Sequence, residues 1–295
     1  MRTGTMHTLF RTSGCLAGLA MVAMAGLAAL PPFPHQPPAL RRHGPIHIRR
    51  HRDGSLKRGL RNEWISGNWA GYELANFQTG QTYARAQMTW VVPQVSYGSS
   101  TDSTASAQYS ANWVGIGGFC ENSVCYQSDN TLIQLGTEQD VAADGTTRYY
   151  AWYEMLPQIE APLRYAVEPG DTMTASLRCV RACAATRQVW RLTMTDQTRG
   201  WTWSKRVRYA SSMLSAEWVE EAPYASGVLP LADSGTAGFS ATEGANGQVP
   251  SLSVSANAIQ LDDSWGQTAN PSAPDILAGF NVCWGYQSDT TCPTP

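Results

Sequence analysis

Apolar and polar residues alternate with a period of two through much of the chain. Gln87-Met88-Thr89-Trp90-Val91, Val189-Trp190-Arg191-Leu192-Thr193-Met194-Thr195 and Trp201-Thr202-Trp203-Ser204 each place large apolar side chains on one face, the pattern of half-buried strands. Turn formers separate such runs at Asp144-Gly145, Glu168-Pro169-Gly170-Asp171 and Asp196-Gln197-Thr198-Arg199-Gly200, and no window carries a helical stripe over three turns. The pattern predicts an all-β protein. Residues 63–295 hold many short strands and no internal repeat, which points to one large sandwich domain. Trp69, Trp113, Trp152, Tyr153, Trp190, Trp201, Trp203 and Trp218 are expected as core and cross-strand pairs, with a minority lining a groove for an extended polymer.

The amino terminus has a different character. Arg2, His7 and Arg11 precede an apolar run from Cys15 to Leu30, with Ala23-Met24-Ala25 near its end; residues 1–30 therefore read as a secretory signal peptide. The run is shorter than the roughly 20 residues a membrane-spanning helix needs. Residues 31–62 are rich in proline, arginine and histidine, as in Arg41-Arg42-His43 and Arg49-Arg50-His51-Arg52. With little to bury, they are expected to be a basic propeptide or a disordered arm outside the fold.

Charge sharpens this division. The first 62 residues carry ten Arg and Lys against one acid, whereas the rest carry eleven against twenty-two. A net charge near neutral thus hides a basic segment and an acidic body, and the segment is expected to sit on the body and let go as carboxylates protonate. An acidic body argues against a nucleic-acid partner, since phosphate binding needs clustered cations. Few cations also leave little self-repulsion in acid.

Six cysteines remain once Cys15 leaves with the signal: Cys120, Cys125, Cys179, Cys183, Cys283 and Cys292. They imply an oxidising compartment and a secreted protein. Six cysteines allow fifteen connectivities, of which local pairing is the simplest. All five histidines, His7, His35, His43, His47 and His51, precede residue 63. The body by itself therefore cannot supply a Ser-His-Asp triad, a Cys-His dyad or a histidine-ligated catalytic zinc. Acid–base chemistry there falls to carboxylates, a tyrosine or Lys205.

Seven segments in order resemble the glutamic peptidase (eqolisin) family: Ser66-Gly67-Asn68-Trp69-Ala70-Gly71-Tyr72, Trp90-Val91-Val92-Pro93, Asn112-Trp113-Val114-Gly115-Ile116-Gly117, Leu132-Ile133-Gln134-Leu135-Gly136, Ala151-Trp152-Tyr153-Glu154, Glu168-Pro169-Gly170-Asp171 and Ser215-Ala216-Glu217-Trp218-Val219-Glu220. The resemblance implies a sandwich of two antiparallel sheets, similar to legume lectins, with a Gln and Glu dyad at Gln134 and Glu217. It also implies that Trp69, Trp113 and Glu154 line or support the cleft. Gly117, Tyr150 and Leu156 depart from the family pattern and bear on subsite preference.

Strand parity is compatible with that dyad, because Gln134 points away from Ile133 and Leu135, and Glu217, Val219 and Glu221 share the face opposite Trp218 and Glu220. The expected activity is acid hydrolysis of peptide bonds: Glu217 acts as general base and then acid on a water, and Gln134 donates to the oxyanion. No cofactor is called for. The expected partners are polypeptide substrates and the chain's own basic propeptide, with no membrane once the signal is removed, and the protein is expected to be monomeric. Two other readings suit a sandwich: a glycoside hydrolase with two carboxylates flanking a sugar, and a non-catalytic lectin-like carbohydrate-binding module.

Overall fold

The structure, a computed structural model, describes residues 40–99, 107–242, 256–287 and 289–295 together with Met1; the remainder of the expected signal lies outside the described residues. The elements run β1 (Trp64–Ser66), β2 (Trp69–Ala75), α1 (Asn76–Thr79), β3 (Arg85–Val91), β4 (Ala107–Gly117), β5 (Leu132–Ala142), β6 (Thr147–Met155) and β7 (Ala161–Pro162). They continue with β8 (Thr172–Arg181), β9 (Val189–Asp196), β10 (Trp201–Arg208), β11 (Ser215–Glu221), β12 (Thr236–Thr242), β13 (Asn257–Asp262), β14 (Thr268–Pro271) and β15 (Gly279–Trp284). The predicted all-β class is what folds.

Hydrogen bonding orders the strands β10-β9-β8-β3-β12-β15-β14-β13-β2-β11-β4-β5-β6-β7, with β1 joined in parallel to β13 and every other pair antiparallel. This ladder doubles over to form the two layers of a sandwich. Met88, Trp90, Leu177, Trp190 and Leu192 of one layer pack against Tyr72, Val114, Ile133, Leu135 and Trp218 of the other in one core. Two indoles also bridge the layers: Trp90 Nε1 donates to Thr137 Oγ1 at 3.0 Å, and Trp218 Nε1 donates to the Gln87 carbonyl at 2.8 Å. Burying a large side chain of this kind stabilises the fold by roughly 2–3 kcal/mol. Trp201 and Trp203 on the edge strand β10 are only partly buried.

Burial alternates along β3, β8 and β9, as the sequence pattern predicts, because one face meets the opposite layer and the other meets solvent. In β2, β5 and β11 every residue is buried. Their second face is covered by residues 40–62, which form isolated bridges at Arg42 with Tyr224, Ile48 with Ser66 and Arg58 with Trp64. The expectation of a segment with little to bury is corrected here. His43 and Ile46 are 0% and 1% exposed, and Ile46 joins Trp64, Trp69, Trp113, Trp152 and Val219 in a second apolar cluster. A few apolar and aromatic side chains, placed against a ready groove, hold down a segment whose average composition is polar.

The three local cysteine pairs are joined as disulfides, Cys120–Cys125, Cys179–Cys183 and Cys283–Cys292. Gly117, one of the departures from the family pattern, adopts φ 90°, and a Cβ there would meet the Thr131 carbonyl at 2.1 Å. Glycine fits that bend, where a side chain would be strained.

Candidate active site

The covered face is built on β11, β4, β5 and β6. Cross-strand registers place Glu217, Gly115, Gln134 and Glu154 in one row, Val219, Trp113, Gly136 and Trp152 in the next, and Glu221, Ala111, Glu138 and Tyr150 in the third. Directly opposed residues project to the same face, so four carboxylates, an amide and two indoles share three rows.

Gln134 Nε2 donates to Glu154 Oε2 at 2.7 Å and to the His43 backbone carbonyl at 2.6 Å. The same Glu154 oxygen accepts from the His43 amide at 3.0 Å. The His43 ring stacks flat on Trp152 at 3.7 Å. Its Nδ1 lies 3.1 Å from Glu221 Oε2, and its Nε2 lies 3.4 Å from Glu160 Oε2 and 3.7 Å from Glu138 Oε2. With a carboxylate at each ring nitrogen, both nitrogens donate and the ring is an imidazolium. Burial alone would lower the His43 pKa, but Glu160, Glu221 and Glu138 outweigh it and carry it well above the usual range.

Glu221 is held from several sides. Trp113 Nε1 donates to its Oε2 at 2.8 Å, and Asn68 Nδ2 reaches its Oε1 at 3.4 Å. Trp69 packs edge-to-face on Trp113 at 4.9 Å. Burial raises the Glu221 pKa, while the bonds from His43 and the indoles pull it back. Glu154 is pushed to about 8, first by burial, with the His43 cation opposing.

The expected site residues therefore divide. Gln134 and Glu154 contact His43 directly, while Trp113 bonds to Glu221 and Trp69 packs on Trp113. Glu217 shares a row with Gln134, yet the residue between them is Gly115. Above that glycine lie the Trp113 ring and the Leu132 side chain, 2.8 and 3.0 Å from where a Cβ would stand. No hydrogen bond joins Glu217 to Gln134. Glu217 is fully buried, and neither of its oxygens has a hydrogen-bond partner. Burial holds its pKa well above the carboxylate range; the Ser215 hydroxyl opposes, and the Glu73 and Asp129 carboxylates add to the rise.

Glu221 lies on the same face of β11, two rows from Gln134; both meet His43, Glu221 at the ring and Gln134 at the backbone carbonyl. Parity put both glutamates on that face, and the resemblance assigned the dyad to Glu217. Glu160, outside any strand, was not legible as a neighbour of His43; Tyr150, marked in the sequence as a departure from the family pattern, donates from its hydroxyl to Glu160 Oε1 at 2.9 Å. Glu220 points to the opposite face, where Ser234 and Asp233 are its neighbours and burial raises its pKa to about 7.

Carboxylates, a glutamine amide and tryptophans sharing one face of a β-sandwich are the donor set of a carboxylate-dependent hydrolase. Residues 67–270 match the Peptidase A4 family, and the chain belongs to that family: it is a glutamic-type endopeptidase. It is 30% identical over 205 residues to aspergillopepsin-2 of Aspergillus niger, a match covering 64% of this chain and 68% of that one. No solved structure matches it.

Proposed function

We propose that the protein is a secreted, acid-active endopeptidase made as a precursor, with Glu217 and Gln134 as its catalytic pair. One observation carries the assignment: the Gln134 amide binds a backbone carbonyl, that of His43, while Glu217 stands in the same cross-strand row with only Gly115 between them, its two oxygens and Gln134 Oε1 all without a hydrogen-bond partner. A substrate carbonyl bound in the same way would have its oxygen on Gln134 and a water between Gln134 and Glu217.

Glu217 then takes a proton from that water, whose oxygen attacks the carbonyl carbon. The Gln134 amide donates to the oxyanion as charge develops, and Glu154 fixes the amide's orientation from behind. Collapse breaks the C–N bond, and Glu217 delivers its proton to the departing amine. Glu221 shares the face but stands two rows away, held by the Trp113 indole and the His43 ring, which supports a role in seating the covering segment instead.

In this reading residues 31–62 are a propeptide that blocks the cleft, the His43 carbonyl occupying the place of a substrate's on Gln134. The local disulfides support an extracellular destination. The test is cleavage of an unfolded protein near pH 3.5 by the unmutated precursor, Glu221→Gln and Glu217→Gln. Loss in Glu217→Gln alone supports the pair; loss in Glu221→Gln alone overturns it.

A further inference from the structure

The body is acidic as a whole, but its charge is unevenly spread. Residues 172–211 carry eight Arg and Lys against one acid, whereas the rest of the body carries three against twenty-one. That basic stretch contains β8, β9 and β10, three consecutive antiparallel strands at one end of the ladder. Two of its cations are engaged elsewhere, Arg199 with Asp171 and Lys205 with the Tyr153 hydroxyl. The other six, Arg178, Arg181, Arg187, Arg191, Arg206 and Arg208, are all exposed, and among the described residues no side-chain hydrogen bond or ion pair holds any of them.

Strand register turns part of this cluster into a line. Arg178, Arg191 and Arg206 stand directly opposite one another, and Arg85 of β3 stands opposite Arg178. Their neighbours along the strands, Leu177, Leu192 and Val207, are buried in the core. The guanidinium groups therefore project from the outer face, about 4.8 Å apart from strand to strand. The next two rows are short hydroxyl side chains, Ser176, Thr193 and Ser204, then Thr174, Thr195 and Thr202. Thr193 with Ser204 and Thr195 with Thr202 are hydrogen-bonded across the strands at 3.1 Å. Like charges directly opposite in a sheet destabilise it, a cost that an anion bridging them removes.

We propose that this face is a docking surface for an acidic polysaccharide, with carboxylate or sulfate groups along the arginine row and sugar hydroxyls on the serine and threonine rows. The planar guanidinium matches either oxyanion with two parallel donors, and a line of regularly spaced cations suits a linear polymer with a repeating anion. A membrane fits less well, because these three rows offer no apolar side chain to enter it. Single-stranded nucleic acid also fits less well, because the rows offer no aromatic ring for its bases. Gln134 and Arg178 project outward from opposite layers of the sandwich, so the proposal does not depend on the catalytic assignment, and a polymer held there leaves the cleft free.

The test is binding of the full-length protein to immobilised heparin and polygalacturonate at about pH 6 and 50 mM salt. Arg178→Gln with Arg191→Gln and Arg206→Gln should weaken binding roughly 10-fold or more, and raising salt to about 200 mM should weaken that of the unmutated protein to a similar extent. The covering segment is also basic, so Arg49→Gln with Arg52→Gln serves as the control and should have a much smaller effect. The melting temperature of the triple variant should be unchanged or higher, since repulsion is relieved; a fall would mark the row as structural and overturn the proposal. Binding to heparin alone assigns the ligand as a sulfate ester, and to polygalacturonate alone as a uronate. Binding to neither polymer, an equal loss in the control variant, or equal affinity for phosphatidylglycerol vesicles or duplex DNA overturns the polysaccharide surface.

Discussion

The amide of Gln134 holds the backbone carbonyl of His43 at 2.6 Å, so the protein's own chain lies where a substrate's would. Three rows of one sheet face determine this geometry, and the consequences can be measured.

Glu217→Gln removes the base and should lower kcat by more than the roughly 10²- to 10³-fold expected for loss of an oxyanion donor. Glu221→Gln keeps a neutral, similarly shaped group beside Trp113 and should change kcat by only a few-fold. Steady-state rates on a fluorogenic peptide compare the two directly.

Gln134→Ala should cost roughly 10² to 10³ in kcat with a smaller effect on KM, since the amide's main contribution comes as the oxyanion forms. Glu154→Gln loses the acceptor that orients Gln134 and should cost about 10-fold. Equal losses in both variants would show that Glu154 acts on the substrate itself.

His43→Ala deletes the stack on Trp152 and the contacts with Glu221 and Glu160. The precursor should then cleave a short peptide without first losing residues 31–62. The measurement is the initial rate before any change in the protein's mass; a lag as long as that of the unmutated precursor would count against the blocking role.

Several buried carboxyls have raised pKa values: Asp140 and Asp263 to about 6, Glu220 to about 7 and Glu154 to about 8, each chiefly through burial. A raised acid binds its proton more tightly in the folded state. Its stabilising contribution is complete below the unfolded pKa of about 4 and is lost as pH rises through 6 to 8. The melting temperature of the precursor should therefore fall by roughly 5–15 °C between pH 4 and pH 8, as calorimetry can determine.

The same sign governs the covering segment. The raised His43 pKa favours docking below its unfolded value near 6.5 and loses that effect as pH rises through the folded value. The raised Glu154 and Glu221 likewise take up protons in the docked state.

The sequence by itself determined the all-β class, the acidic body and the absence of a body histidine, because period-two alternation and residue types are local properties. Its resemblance to a family pointed to Gln134 and Glu217, and strand parity put Glu217 and Glu221 on one face of β11. How each is surrounded was decided only by tertiary structure: Trp113 lies over Gly115, beside Glu217, while its indole nitrogen bonds to Glu221. The burial of His43 was equally hidden, since a polar segment becomes part of a core only when a groove of matching shape and charge is folded elsewhere in the chain.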